Sequence, residues 1–252
     1  MRLIVTRPEP EASQTARALV RLGHAAILSP MLDIVFEPGA EVPEREYQAV
    51  LATSANAVRA LAGRAKLPVR MDTPLLAVGD RSALEAKRAG FVAARSAGGS
   101  VADLLALARA GLSPKRGPLL YAAGEDRMGD LAGQLGGLGF EVETAILYRA
   151  KARPRLTGVA EAALRDGTAD GVLFYSRRSA AAFSHALRAA GLAPLPASVS
   201  CFCISAAVAE GLPGVAAGPV LVAQQPDQLN LFALIEREAA MRPLTDGGNA
   251  GP

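Results

Sequence analysis

The amino-acid sequence predicts an α/β protein of two similar doubly wound parallel-sheet domains, joined by a two-stranded linker with a cleft between them. Short apolar runs alternate along the whole chain with stretches whose apolar residues recur at helical spacing. Most predicted helices follow a small polar residue and stop at glycine. Half of the 252 residues are apolar but only 4% are aromatic, so small side chains must pack the helices closely onto the sheets.

The first repeated unit has a strand at residues 3–5 and a helix that stops at Gly23. Thr6 and Glu9 have the spacing of a capping box, which would start this helix with Pro8 in its first turn. Apolar residues three or four positions apart predict one buried face for the helix.

Four more units follow in the first half of the chain. Their clearest strands are predicted at residues 49–52, 75–78 and 119–122, before helices that stop at Gly63, Gly90 and Gly139. Another helix opens at Ser100 and ends at Gly111. Ser82 with Glu85, and Ser100 with Asp103, again have capping-box spacing. The last helix of this half carries leucines on one predicted face: Leu131, Leu135 and Leu138.

The second half repeats the scheme three times. A strand at 172–175 precedes Ser176, a strand at 199–204 precedes Ser205, and residues 223–227 precede the last helix. The helix after Ser176 is predicted to bury a set of apolar residues: Ala180, Phe183, Leu187 and Ala190. The last helix is predicted to bury three others: Leu229, Phe232 and Ile235.

The order of these units predicts how the domains are composed. Three strand-to-helix turns of the first half have counterparts in the second, and the first half then has a fourth unit that the second lacks. The spare unit is the N-terminal one, so we expect it to join the C-terminal half. One domain would comprise residues 1–36 and 152–240 and the other residues 37–151, with a Gly/Pro-rich disordered tail at 241–252.

Charge and composition narrow the function classes. The net charge is +3 and the basic residues are scattered, which disfavours nucleic acid and favours a small anionic ligand. No apolar run could span a membrane and the N-terminus does not resemble a signal peptide, so we expect a cytoplasmic protein. Cys201 and Cys203 are expected to be buried thiols rather than a disulfide or metal site, and His24 and His185 to lie on the surface.

Candidate binding residues stand where the predicted strands end. In doubly wound sheets ligands bind beyond the carboxyl ends of strands, where the following helices present free N–H groups to an anion. The hydroxyl, glycine and arginine residues at these ends are Thr6, Arg7, Thr53, Ser54, Gly79, Ser100, Gly124, Arg127, Ser176, Arg177 and Ser205. Ser and Thr there are also ordinary helix caps, so the prediction rests on their number rather than on any one of them.

Motifs for nucleotide binding and for nucleophilic catalysis are missing from the sequence. No Gly-x-Gly-x-x-Gly follows a strand, and neither a phosphate-binding Gly-Lys-Thr nor a Gly-x-Ser-x-Gly is present. Tyr148 either covers the linker or faces the cleft as a phenol that can donate a proton. The residues alone therefore leave open an enzyme or a binder for a small polyanion.

Several short segments, taken in their order along the chain, resemble the uroporphyrinogen-III synthase family. They are residues 3–8, Pro30 with Leu32, residues 53–58, residues 77–79 with Ser82 and Ala83, Gly124 with Arg127, residues 147–149, and Tyr175 with Ser176 and Phe183. The resemblance runs from Leu3 to about Ile235, and the order and spacing of the segments are more specific than any one of them. The sequence departs from the family at residues 204–207 (Ile-Ser-Ala-Ala), the counterpart of Gly79 to Ser82, where a glycine and a hydroxyl residue are usual.

This resemblance implies a lyase of tetrapyrrole biosynthesis. Its substrate would be hydroxymethylbilane, a linear tetrapyrrole with eight carboxylates, which is closed with inversion of ring D and loss of water. The pyrrole nitrogens supply the electrons, so neither a metal nor an organic cofactor is implied. Tyr148 would be the proton donor and Ser82 a further substrate contact. The family likeness also implies a monomer that contacts the upstream enzyme only transiently. The alternative is a non-catalytic two-domain sensor of a small polyanion.

Overall fold

A computed structural model describes residues 1–127 and 129–242, and the chain forms two compact units. Unit 1 contains Met1–Asp33 and the chain from Lys151 onward, and unit 2 contains Ile34–Ala150. Each unit has its own sheet with helices packed on it, and the strand pairs with a defined register are parallel. The predicted α/β class with parallel sheets is therefore confirmed.

Unit 1 is built on a five-stranded sheet within the described residues. Its elements are β1 (Arg2–Val5), α1 (Glu11–Arg21), β2 (Ala25–Leu28), α6 (Gly158–Arg165), β9 (Gly171–Phe174), α7 (Arg177–Ala189), β10 (Ser200–Cys203), α8 (Ala206–Ala209), β11 (Val220–Val222) and α9 (Gln228–Met241). The strand order is β11-β10-β9-β1-β2. The N-terminal strands therefore lie in the sheet of the C-terminal half, as the order of the repeated units predicts.

The core of unit 1 lies on both faces of this sheet. Leu3 of β1 and Phe202 of β10 pack with α1 and α9 on one face. On the other face Phe183 of α7 meets Phe174 of β9 edge to face, with ring centroids 5.2 Å apart. Burying α9 in this way fixes its first turn at the carboxyl ends of the strands.

Unit 2 is built on a six-stranded sheet, again within the described residues. Its elements are β3 (Leu32–Phe36), β4 (Ala49–Ala52), α2 (Ala55–Ala62), β5 (Leu75–Ala77), α3 (Asp80–Arg88), β6 (Ala94–Ser96), α4 (Val101–Gly111), β7 (Leu119–Gly124), α5 (Leu131–Gly136) and β8 (Val142–Ala152). The strand order is β3-β8-β7-β4-β5-β6. Val50 of β4 faces α2 and α3, and the next residue, Leu51, faces α4 and α5. Unit 2 is therefore doubly wound.

The chain passes between the units inside two strands. The first passage lies in β3, between Asp33 and Ile34, and the second in β8, between Ala150 and Lys151. These two strands are neighbours in the same sheet. The division into domains at residues 1–36 with 152–240 and 37–151 stays a prediction.

The first helix begins later than predicted. α1 starts at Glu11 with Pro10 as its N-cap, so the capping box of Thr6 and Glu9 is wrong. The Thr6 hydroxyl is fully buried and donates to the Leu173 carbonyl at 2.6 Å. It ties β1 to β9 across 167 positions of sequence, a contact that local spacing does not reveal.

A second predicted capping box, in α3, is also wrong. This helix starts at Asp80 with Gly79 as its N-cap, so Ser82 lies inside the first turn. Glu85 binds Arg59 of α2 at 2.9 Å instead of returning to the helix start. The ion pair between neighbouring helices takes the carboxylate that the local motif would use.

Two leucines predicted to be buried are exposed. Leu138 lies beyond the end of α5 at Gly136 and is 38% exposed. Leu229 is 81% exposed in α9, where Leu231 takes the buried place. The first error comes from extending the helical period past the end of α5. Leu229 lies in the first turn of α9, and there the error is one of phase, because the buried face is formed by Leu231, Phe232 and Ile235.

The predicted surface position of His24 is wrong, whereas His185 is exposed as predicted. His24 is buried, with Nε2 at 2.5 Å from a Glu236 carboxylate oxygen of α9. Cys201 and Cys203 are confirmed as buried free thiols. Burial raises the pKa of each thiol to about 12, and the neighbouring thiol adds to the rise at Cys201.

Arg242 is the last residue that the structure describes. Met241 ends α9, and Arg242 binds the Asp170 carboxylate at 2.8 Å. The rest of the predicted tail, residues 243–252, lies outside the described residues. Within the described part of the chain, no helix is both long and apolar enough to cross a membrane.

Candidate functional site

The predicted proton donor, Tyr148, lies inside β8, beside the carboxyl end of β7 in unit 2. In the sheet it stands opposite Gly124, the last residue of β7. Its hydroxyl is 2.9 Å from Ser54 Oγ, which also accepts from Ala57 N at 3.1 Å. Ser54 is therefore both the N-cap of α2 and a partner of the phenol. The structure thus brings three of the predicted site residues into contact.

A second tyrosine, which the sequence interpretation missed, stands beside this group. Tyr121 of β7 is 4% exposed, and its hydroxyl is 3.3 Å from Thr53 Oγ1. Tyr121, Glu125 and Arg127 line a cavity of about 370 Å³ beyond the end of β7. The available signal was a lone tyrosine in a buried strand, because a buried phenol needs a partner for its hydroxyl.

The loops after β5 and β6 lie side by side. A Cβ at Gly79 would come 3.9 Å from the Cα of Gly99, whose N–H donates to the Val78 carbonyl at 2.8 Å. Gly99 has a φ of 131°, which favours glycine at this close approach. Ser100 caps α4 by accepting from Asp103 N, and the Asp103 carboxylate accepts from Ser100 N, so this capping box is confirmed.

In unit 1 the side chain of Arg7, which follows β1, contacts three residues from other parts of the fold. Its guanidinium carbon lies 4.0 Å from the ring centroid of Tyr175, which follows β9. Its Nη1 donates to Thr15 of α1 at 3.2 Å and to Gln228, the first residue of α9, at 3.3 Å. Tyr175 and Gln228 are not among the predicted site residues, although both stand beside a strand end. Their contact with Arg7 depends on tertiary packing that no local motif encodes.

Ser176 and Ser205 hold matching places after β9 and β10, but their bonds differ. Ser176 Oγ accepts from Ser179 N at 3.1 Å and so caps α7. Ser205 makes no side-chain capping bond, and α8 has only four residues. Arg177 pairs with the Glu210 carboxylate at 2.9 Å, so its charge already has a partner within unit 1.

Two predicted contact residues are largely shielded from a ligand. Thr6 is fully buried beneath the end of β1. Ser82 is 7% exposed, and its N–H donates to the Gly79 carbonyl at 3.1 Å. Gly79 and Ser205, by contrast, are half-buried, and Ser100 and Arg127 are exposed.

The chemistry of these strand ends suits an acidic small molecule. Helices α2, α3, α4, α7 and α9 each begin just after a strand, and the first N–H groups of a helix lack intrahelical partners and carry partial positive charge. Hydroxyl groups and the arginine Arg7 stand beside them. Fold and site together define a class of protein: an α/β protein with two parallel-sheet units, each of which has helix N-termini after the carboxyl ends of its strands.

Comparison with known proteins identifies the member of that class. Residues 13–233 match the family model described as uroporphyrinogen-III synthase HemD. The chain therefore belongs to the uroporphyrinogen-III synthase family. Membership assigns it the activity of that family, the cyclisation of hydroxymethylbilane in tetrapyrrole biosynthesis.

Solved structures show the same fold. The uroporphyrinogen-III synthetase of Helicobacter pylori is 19% identical with a TM-score of 0.63, over 96% of this chain and 100% of that one. A mutant uroporphyrinogen III synthase of the extremely thermophilic bacterium Thermus thermophilus is 22% identical with a TM-score of 0.55, over the same shares of the two chains. A search of curated proteins returned no match.

Proposed function

We propose that Tyr148 is the proton donor of the synthase reaction and that substrate carboxylates are bound chiefly by backbone N–H groups at the strand ends. The observation that carries the proposal is the 2.9 Å contact between the Tyr148 hydroxyl and Ser54 Oγ, at the amino end of α2. This contact holds the Tyr148 phenol beside the amino end of α2, whose free N–H groups can donate to an anion.

The reaction places few demands on side chains. Loss of the hydroxyl group from the ring A hydroxymethyl carbon, as water, leaves an azafulvene cation stabilised by the pyrrole nitrogen. The substituted carbon of ring D attacks that carbon and forms a spiro intermediate. The intermediate fragments, ring D closes again in the inverted sense, and a proton is lost. The protein mainly has to hold the chain so that this route is faster than direct closure to the symmetric isomer.

Tyr148 can assist the first step. A phenol keeps its proton at neutral pH, so it can donate to the departing hydroxyl group. Ser54 Oγ accepts from Ala57 N, which holds the serine side chain in one orientation against the phenol. Ser54, the N-cap of α2, therefore orients the hydroxyl of Tyr148, the proposed proton donor.

Backbone donors explain the rest of the site. We assign anion contacts to the strand-end residues of both units: Arg7, Thr53, Ser54, Gly79, Ser100, Gly124, Arg127, Ser176, Arg177 and Ser205. Ser82 is buried inside the first turn of α3, so we assign it a supporting role rather than a direct contact. Thr6 supports them by fixing β1 to β9, as its buried hydroxyl bond indicates. We further propose that the protein acts as a cytoplasmic monomer and contacts the upstream enzyme only transiently.

Tyr148→Phe tests the assignment of the donor. We expect kcat to fall by about 100-fold or more, the usual contribution of a general acid. Tyr47→Phe is the matched control, because the Tyr47 hydroxyl donates to the Pro43 carbonyl at 2.9 Å in the segment before the amino end of β4. The control should keep normal turnover. A folded Tyr148→Phe variant with near-normal kcat would overturn the proposal.

A further inference from the structure

We infer that Gly124 is a positioning residue. Because glycine has no side chain, the Tyr148 ring can occupy the space beside it. This inference rests on the proposed role of Tyr148 as proton donor. It assigns Gly124 a task in addition to the proposed backbone contact with substrate: Gly124 sets where the phenol hydroxyl lies.

The contact between the two residues is direct. Gly124 and Tyr148 face each other across β7 and β8, where the register shifts between Ala123 and Gly124. The Glu125 N–H donates to the Tyr148 carbonyl at 2.9 Å, which holds the two strands together at this point. A Cβ built on Gly124 would lie 2.6 Å from Tyr148 Cζ and 2.8 Å from its hydroxyl oxygen.

Backbone conformation does not explain this glycine. Gly124 is not among the glycines with positive φ, so its backbone suits an ordinary L residue. The restriction comes from the tyrosine ring, which occupies the space of a side chain. Carbon atoms in contact prefer about 3.5–4.0 Å, so a methyl group at Gly124 would push the ring by roughly 1 Å.

A shift of that size removes the hydroxyl from its partner. The Tyr148 hydroxyl is 2.9 Å from Ser54 Oγ, and an O–H···O bond is lost beyond roughly 3.5 Å. Ser54 cannot follow the ring, because its Oγ is held by Ala57 N at 3.1 Å. The phenol would then no longer be aligned with the amino end of α2.

Gly124→Ala tests the inference, with Gly136→Ala as the control. A Cβ at Gly136, in α5 of the same unit, would meet nothing within 4 Å. We expect Gly124→Ala to lower kcat by about 100-fold with little change in KM, as a 1 Å misplacement of a reacting group can do. In a Tyr148→Phe background, Gly124→Ala should cost little more, since the hydroxyl that it displaces is already absent.

Three results would overturn the inference: normal kcat in a folded Gly124→Ala variant, a raised KM with unchanged kcat, or an equal further loss in the Tyr148→Phe background. If Gly124→Ala does not fold, Gly124→Ala combined with Tyr148→Leu should, because the ring is gone. Failure of the double variant to fold would also count against the clash. Full activity of Tyr148→Phe alone would instead refute the proposed donor.

Discussion

Ser176 and Ser205 of unit 1 allow the contribution of a serine to helix capping to be measured separately from its contribution to ligand binding. Ser176 Oγ accepts from Ser179 N at 3.1 Å and donates to Ser179 Oγ at 2.9 Å. Ser205 stands in the matching place after the next strand and makes no capping bond. We therefore predict that Ser176→Ala destabilises the protein and that Ser205→Ala does not.

The structure sets the size of the difference. Replacing a capping serine with alanine costs about 1 kcal/mol, and Ser176 caps a helix of 13 residues that buries seven of them. For a chain of this length that loss lowers the melting temperature by about 2–4 °C. Ser205 has no capping bond to lose, so the effect of Ser205→Ala should stay within about 0.5 kcal/mol.

Thermal unfolding and turnover, measured on the same variants, check the prediction. Both variants should keep kcat to within about tenfold, because the backbone N–H groups survive the substitution and a neutral hydrogen bond contributes only about 1 kcal/mol. Equal destabilisation by the two substitutions would refute the capping argument. A loss of activity beyond about 100-fold in Ser176→Ala would refute backbone binding, since it exceeds the worth of one such bond.

Three other predictions concern separate features. Tyr175→Leu should raise KM about fivefold, because it removes a cation–π contact with Arg7 that is worth about 1 kcal/mol. Tyr175→Phe keeps the ring and should match the wild type. Equal effects of the two substitutions would refute the role of the ring in holding Arg7. The two cysteines should resist a thiol reagent in the folded protein at pH 8, because burial raises their pKa to about 12; fast labelling would contradict this. A hydrogen bond from the Asn230 backbone lowers the pKa of Asp227, so this cap adds stability that is lost as pH falls through the lowered value. Asp227→Asn, which caps without titrating, should lose less stability on acidification, and an unchanged acid limb in urea titrations would refute it.

Much of the fold follows from local patterns. The alternation of apolar runs with helical periods predicts the parallel sheets, and the spare N-terminal unit predicts that β1 joins the second sheet. Local patterns fail where a distant residue takes the group that a motif would use. Thr6 bonds to Leu173 and Glu85 to Arg59, so two of the three predicted capping boxes are replaced by tertiary contacts, whereas the box of Ser100 and Asp103 forms as predicted.

The site could be predicted only in part. The rule that ligands bind beyond strand ends selects Ser54 and Gly124, and the family resemblance selects Tyr148. The reason these residues act together is not local: Ser54 and Tyr148 are 94 positions apart and meet only once both strands are in one sheet. Tyr175 is part of the family resemblance, but no local pattern predicts its contact with Arg7, because a cation–π contact depends on where two chain segments pack.

The most direct test of the account is to incubate the purified protein with hydroxymethylbilane and separate the uroporphyrinogen isomers. The account predicts that type III, with ring D inverted, forms far faster than type I closes spontaneously, and that Tyr148→Phe slows its formation while Tyr47→Phe does not. Formation of type I alone, at the spontaneous rate, would contradict the synthase assignment and favour a non-catalytic binder of small polyanions.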